Sequence, residues 1–332
     1  MKKYLVTGAA GFIGASIAKE LLRLGNKVVT VDNLSTGNKN HVPKGVDFIK
    51  GDCQDPKIIK VLKDYEFEAI YHIAGQSSGE ISFENPVYDL QTNAQSTLQL
   101  LDLARVIGCN KFIYASTMSI YGDTDYSFVD ETMIPNPKSF YGVGKLASEH
   151  YLRIYNNEFG IATAALRLFN VYGPGQNLTN MKQGMVSIFL AQAIQNKQIH
   201  VKGSAVRFRD FIYIDDVVKA FLKTEATLEN SGYYFFNVCT GIKTTVDELV
   251  KLITNHFNTN ISVKFEGATP GDQFGIFGNP AKMHDIIGHW DKIKFKEGIK
   301  VMRRLLLDDP LFVRSTFINR SRSSSNVLSL SS

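Results

Sequence analysis

Cysteine, tryptophan and proline are scarce in this 332-residue chain, at three, one and nine residues. Cys53, Cys109 and Cys239 are odd in number, widely spaced and form no C-x-x-C pair. That excludes a disulfide framework and a metal knuckle, and it points to a reduced, cytoplasmic setting. No apolar run reaches about 18 residues, so no segment reads as a membrane span. The start, Met1-Lys2-Lys3 followed by apolar residues, imitates a signal peptide, but Gly8, Gly11 and Gly14 interrupt the apolar stretch. A large excess of one charge is also lacking. The net charge is +5, and Arg314, Arg320 and Arg322 supply three of those charges in a terminal stretch without acids. The remainder carries no basic footprint for nucleic acid, and single basic groups acting on a phosphate are the better expectation. What is present is 44% hydrophobic and 21% charged residues, an ordinary globular balance. The length fits about two domains or one enlarged α/β unit.

Strand-like and helix-like segments alternate over the first half. Residues 3–7, 27–31, 68–74, 111–115 and 163–169 are apolar runs of strand length. Between them lie a helix from Phe12 to about Leu24, closed by Gly25, and two long helices. One runs from Asn85-Pro86 to before Gly108, with Val87, Leu90, Ala94, Leu98 and Leu101 as its apolar face, and the other runs from about Phe140 to Glu158. Strands joined by helices of this length imply right-handed crossovers and a doubly wound parallel sheet, so the fold class expected is α/β of Rossmann type. Beyond about residue 170 the pattern loosens. Helices are expected over 186–195 and 215–229, strands over 198–202 and 233–238, and Thr245-x-x-Glu248 reads as a capping box. The division expected is a cofactor-binding domain over 1–170, with 211–240 returning to it, and a smaller substrate-binding α/β domain over 171–210 and 241–312. Residues 313–332, with eight serines and three arginines, read as a disordered tail.

Gly8-x-x-Gly11-x-x-Gly14 stands between a strand and a helix. Glycines let the backbone approach a pyrophosphate, and the N–H groups at the helix start hold the anion. Asp32 ends the second strand, 18 residues beyond Gly14. A carboxylate there accepts hydrogen bonds from both ribose hydroxyls and repels a 2′-phosphate, which selects NAD over NADP. Asp52, after the third strand, is placed to meet the adenine amino group. Tyr141 and Lys145 share one helix face at i, i+4, and Thr117 ends a strand at the C-terminal edge of the sheet. Moving a tyrosine pKa from about 10 toward 7 takes about 4 kcal/mol, which a lysine ammonium and a positive nicotinamide ring can supply through space.

Eight segments in order, TGAAGFIG, DNLSTG, GDCQD, YHIAGQ, ASTMSIYG, YGVGK, LRLFNVYGPGQ and RDFIYIDDV, resemble the successive motifs of the extended short-chain dehydrogenase/reductases. Within them the chain is most similar to the NAD-dependent nucleotide-sugar epimerase/dehydratase group and its UDP-hexose 4-epimerase branch, over about residues 3–300. The resemblance implies that Thr117, Tyr141 and Lys145 are the catalytic triad. It extends the cofactor set from Gly8, Gly11, Gly14, Asp32 and Asp52 to Phe12, Ile13, Asn33, Ser35, Thr36, Gly37, Cys53, Ile73, Ala74, Gly75, Asn93, Ser116, Tyr141, Lys145 and Phe169. Asn93 resembles the asparagine that supports the active-site helix. Substrate contacts are implied for Ser77, Thr117, Asn170, Arg209, Asp272 and Ile276, with Asn170 and Arg209 on the nucleotide diphosphate. It also implies a homodimer formed by the two long helices.

Family members diverge just after the catalytic threonine. Dehydratases resemble S-T-D-E there and decarboxylating relatives S-T-S-E, whereas this chain has Ser116-Thr117-Met118-Ser119. Neither Met118 nor Ser119 transfers a proton as a carboxyl group does. The expectation is therefore 4-epimerisation: oxidation at C4 to a 4-keto sugar, rotation, and re-reduction on the other face. A 4-ketoreductase or an epimerase at another carbon is the alternative, and a non-catalytic NAD-binding regulator a third. Thr269 stands where the branch commonly has a diphosphate-binding arginine. Gln76-Ser77-Ser78-Gly79-Glu80 replaces a lysine-containing loop, and Ile276 falls where size gates N-acetyl groups. His284 and His289, at i, i+5, do not share a helix face, and no metal site is expected from them.

Overall fold

The computed structural model describes residues 1–124, 128–178, 184–228, 232–257, 260–267, 274–290 and 293–308. Asp272, Thr269 and the serine-rich tail lie outside these residues. Seven strands form the central sheet: β1 (Lys3–Thr7), β2 (Lys27–Asp32), β3 (Asp47–Lys50), β4 (Ala69–His72), β5 (Lys111–Thr117), β6 (Ala162–Leu168) and β7 (Tyr233–Val238). All pair in parallel, in the order β7-β6-β5-β4-β1-β2-β3. This is the doubly wound Rossmann-type sheet that the alternation of strands and helices implied. Its strand order reverses between β1 and β4, and a crevice opens there at the C-terminal ends of the strands. β6 is buried at every position, as a strand covered on both faces must be.

Helix α1 (Phe12–Arg23) buries Ile17, Ala18 and Leu21, and the chain leaves it through Gly25 at φ 79°. The expected single helix from Pro86 to Ile107 is not continuous. It comprises Pro86–Leu90, a π-turn over Gln91–Gln95, and Ser96–Ile107, together called α2. The π-turn inserts one residue and rotates everything before it around the axis. Val87 and Leu90, expected on the apolar face with Ala94 and Leu101, are therefore exposed, at 63% and 58%. Leu100, Leu101, Leu103 and Ala104 carry the packing instead. Helix α3 (Phe140–Phe159) starts at Ser139, whose hydroxyl accepts from Gly142 N at 3.1 Å, and ends at Gly160. No helix among the described residues is long and apolar enough to cross a membrane.

The later elements are short. Phe211–Tyr213 pairs in parallel with Asn170–Tyr172, and Ser262–Glu266 with Gln198–Lys202. Asp210 knots this region together. Its buried carboxylate accepts from Thr240 N at 2.9 Å, Thr240 Oγ1 at 2.5 Å, Gly241 N at 2.9 Å and Gly278 N at 3.3 Å. The Thr245–Glu248 capping box forms as its spacing predicts. The three cysteines are buried and form no disulfide among the described residues.

His72, at the end of β4, is fully buried between Thr7 and Thr97. Thr7 Oγ1 already accepts from Ile73 N and Ala74 N, so its own proton points to His72 Nδ1. The ring proton then sits on Nε2 and is donated to Thr97 Oγ1 at 3.1 Å. Burial, with the Lys145 charge adding to it, lowers the His72 pKa to about 3. An unfolded histidine binds a proton below about pH 6.5, and the folded one does not. Stability is thus fully present above that pH and is lost as the pH falls from there toward 3. Between pH 7 and pH 5 wild type should lose about 2 kcal/mol more than His72→Gln, read from urea unfolding midpoints. Parallel loss in both proteins would contradict this reading of His72.

Candidate functional site

The glycine loop begins where β1 ends. Gly8 sits at φ 72°, and a Cβ on it would lie 2.9 Å from the Ala74 backbone just beyond β4. A Cβ on Gly14 would lie 2.3 Å from Gly8 O. No side chain caps Gly11 at the start of α1, so the first N–H groups of that helix face the crevice. Asp32, at the end of β2, does more than its position announced. Its carboxylate accepts from Ala10 N at 2.9 Å and Leu34 N at 2.8 Å, so it also fastens the glycine loop. The crevice runs past Gly8, Gly11, Phe12, Ile13 and Gly14. It continues along Asp32, Asn33, Ser35, Thr36, Gly37, Asp52 and Cys53, and ends at Ile73, Ala74, Gly75 and Ser77. Uncapped helix donors, a backbone too close for any Cβ, and a carboxylate at a second strand end fit an NAD pyrophosphate and ribose.

Near its Gly75 end lie the three residues expected to do chemistry. Thr117 ends β5 beside the Tyr141 phenol, and its hydroxyl donates to Ser119 Oγ at 3.2 Å. It also accepts from Ser119 N at 3.1 Å. Lys145, one turn after Tyr141, is buried, donates to Ala115 O at 2.9 Å, and holds Nζ 5.9 Å from the Tyr141 ring centre. The sequence between them, Gly142-Val143-Gly144, explains how the helix gets so close. A Cβ on Gly142 would sit 2.9 Å from Ser119 O, and one on Gly144 would sit 3.3 Å from Asn93 Cβ.

Burial raises the Tyr141 pKa to about 12, against the Thr117 hydrogen bond. Burial lowers Lys145 to about 8, against the attraction of Asp89. The chain's own groups thus keep Tyr141 protonated near pH 7, and the shift asked of Lys145 and the nicotinamide ring together is larger than expected. Bringing it from about 12 to 7 takes about 7 kcal/mol of differential stabilisation rather than about 4.

Other expected residues fall beside this centre, several in unforeseen surroundings. Asn93 lies in the π-turn, and its main-chain carbonyl accepts the Thr97 hydroxyl at 2.7 Å and the Ser148 hydroxyl at 2.9 Å, joining α2 to α3. The Ser116 hydroxyl is turned away from the crevice and donates to Glu149 Oε1 at 2.5 Å. Glu149 is in turn buried in a two-point pair with Arg167 of β6, which reaches Tyr121 OH at 2.9 Å. This pair, unread in the sequence, clamps α3 to β6, beside the strand that carries Thr117. Phe169 and Ile276 are buried in one apolar cluster that Met118 packs against. Asn170 Nδ2 donates to Asp210 O at 3.2 Å, so Asn170 adjoins Arg209, whose Nη1 donates to Phe208 O at 2.7 Å. His284 and His289 do come together, against expectation, because the helix Ala281–Ile287 ends and Gly288 turns the chain. Their rings lie 4.7 Å apart beside Trp290, as aromatic packing.

Comparison with known proteins agrees with this geometry. Residues 4–239 match the model of the NAD dependent epimerase/dehydratase family. A putative UDP-glucose 4-epimerase of Methanocaldococcus jannaschii is 34% identical over 297 residues, covering 89% of this chain and 95% of the relative. UDP-glucuronic acid decarboxylase 3 of Arabidopsis thaliana is 29% identical, covering 93% and 91%. The UDP-glucose 4-epimerase of Thermotoga maritima, solved with UDP-glucose, superposes with a TM-score of 0.86 at 32% identity, covering 95% of this chain and 99% of that one. The UDP-glucose 4-epimerase of Thermus thermophilus, solved with NAD, gives 0.82 at 33% identity, covering 91% and 98%. The chain belongs to the NAD dependent epimerase/dehydratase family, with NAD as its cofactor.

Proposed function

We propose that this chain is a nucleotide-sugar 4-epimerase acting on a UDP-hexose. The observation that carries the reading is the end of β5. There Thr117 stands beside the half-buried Tyr141, and Met118 and Ser119 follow it instead of the carboxyl groups that elimination or decarboxylation would use. The epimerases of T. maritima and T. thermophilus support the same reading.

Bound NAD supplies the hydride acceptor, the hydride donor for the return step and a positive charge beside the phenol. In the mechanism, Tyr141 removes the proton from the C4 hydroxyl and later returns it. Thr117 holds that oxygen by a shared hydrogen bond and keeps the sugar in line. Lys145, anchored on Ala115 O, favours the phenolate by its charge. Gly8, Gly11 and Gly14 would hold the pyrophosphate, and Asp32 the ribose. Asn170 and Arg209 would face the substrate diphosphate, with Ser77 and Ile276 bordering the sugar. Residues 1–170 with 211–240 would form the cofactor half, and 171–210 with 241–312 the substrate half.

The test is incubation with UDP-glucose, UDP-N-acetylglucosamine and UDP-glucuronate without added NADH, followed by proton NMR at C4. The expected result is inversion at C4 of at least one sugar, with no net consumption of cofactor. Stoichiometric NADH consumption would make the enzyme a ketoreductase instead.

We also infer a cytoplasmic homodimer. Phe83, Val87, Leu90, Phe140 and Val143 are exposed together where the helix Gly79–Glu84, α2 and α3 meet, and the Phe83 and Phe140 rings lie 5.6 Å apart. Burying such a patch is the usual fate of exposed apolar groups of this size. Sedimentation at micromolar concentration should give a dimer, and Leu90→Lys should give monomer. Wild type found only as monomer would refute the interface.

A further inference from the structure

Asp89 belongs to none of the sequence motifs, yet it is fully buried beside the site. Its Oδ1 accepts two side-chain amides at once, Gln76 Nε2 at 2.8 Å and Asn93 Nδ2 at 3.1 Å. The two amides are themselves committed to one turn. Gln76 Nε2 also donates to Ser78 O at 2.7 Å, Gln76 Oε1 accepts from Ser78 N, and Asn93 Nδ2 also donates to Gln76 O at 3.0 Å. Gln76, Ser77 and Ser78 line the crevice beyond Gly75. Asn93 lies in the π-turn, four residues after Asp89, and both side chains meet Gln76. Asp89 Oδ2 is buried, finds no partner among the described residues, and would lie 3.5 Å from a Cβ on Gly144 in α3.

We propose that Asp89 is a positioning residue: its carboxylate fastens Gln76 to Asn93 and so holds the Gly75–Ser78 turn, which walls the sugar end of the crevice, against α2, which is bonded through Asn93 O to Ser148 of the helix carrying Tyr141 and Lys145. A buried charge is costly to keep without return, and here the return is an ordered wall. The inference rests on the epimerase reading for what the turn contacts, though not for the tie itself.

Asp89→Ala removes the tie and leaves one N–H of each amide without its acceptor, while Gln76 Nε2 keeps Ser78 O and Asn93 Nδ2 keeps Gln76 O. The variant should fold and bind NAD. Amide hydrogen exchange over residues 75–80, measured on the NAD-loaded full chain, should quicken by about tenfold while the central sheet stays protected. KM for the nucleotide sugar should rise by about tenfold with kcat changed far less. Asp89→Asn, which keeps an oxygen at the Oδ1 position, should restore both. Exchange over 75–80 within twofold of wild type in Asp89→Ala, or loosening spread evenly over α2 and the sheet, would overturn the proposal. The exchange readout needs no substrate. If wild type turns over no UDP-sugar, the epimerase reading fails alone, and the exchange result still decides the role of Asp89.

Discussion

Tyr141→Phe should lower kcat by roughly 10²–10⁴ while NAD stays bound and the thermal midpoint stays close to that of wild type. The asymmetry follows from where the phenol sits. Its ring fills the start of α3, and phenylalanine keeps that volume. The hydroxyl, beside Thr117, is the group proposed to exchange a proton with the C4 oxygen. Burial keeps the phenol up at about 12, so its work as a base depends on positive charge gathered around it. Deleting the oxygen deletes the step that all this charge serves. Turnover within tenfold of wild type would remove Tyr141 from the mechanism.

Gly14→Ala should act at the other end of the crevice and through a different quantity. The added methyl would stand 2.3 Å from Gly8 O and 2.7 Å from Gly8 C, both main-chain atoms. Gly8 cannot retreat freely, since it is held at φ 72° and packs against the Ala74 backbone. The loop must open where the pyrophosphate would lie. Overpacking of this kind costs about 1–3 kcal/mol, which is roughly a 5- to 150-fold weakening if it falls on binding. Titration calorimetry with NAD should show that loss, with the Thr117–Tyr141 centre unaltered. A Kd within threefold of wild type would mean the glycine is there for some other reason.

The features legible in the sequence were those written locally. The glycine loop needs only a strand, a turn and a helix start in succession, and Asp32 follows from where β2 stops. Tyr141 and Lys145 meet because one helical turn brings them together. The π-turn was not legible. Pro86 to Ile107 has the composition of an uninterrupted helix, and a one-residue slip leaves no mark in periodicity while moving Val87 and Leu90 to the surface. Asp89 went unread for a related reason. Its partners are Asn93 and, thirteen residues away across a turn, Gln76, which only the folded chain brings to it. Glu149 and Arg167 carry no local signal of pairing, and only the packing of α3 on β6 makes them a buried pair. The same packing turns Ser116 away from the crevice, which its place next to Thr117 did not foretell. Each of these depends on side chains far apart in the chain satisfying one another after burial.

The central claim is that a hydrogen leaves C4 of the sugar and comes back to the same carbon from the other side. UDP-glucose carrying deuterium at C4, incubated with the enzyme in ordinary water without added NADH, tests it in one spectrum. The account predicts the C4-inverted sugar with deuterium still on C4. Inverted product carrying hydrogen from water at C4, or an unchanged C4 with the label moved elsewhere, would contradict it.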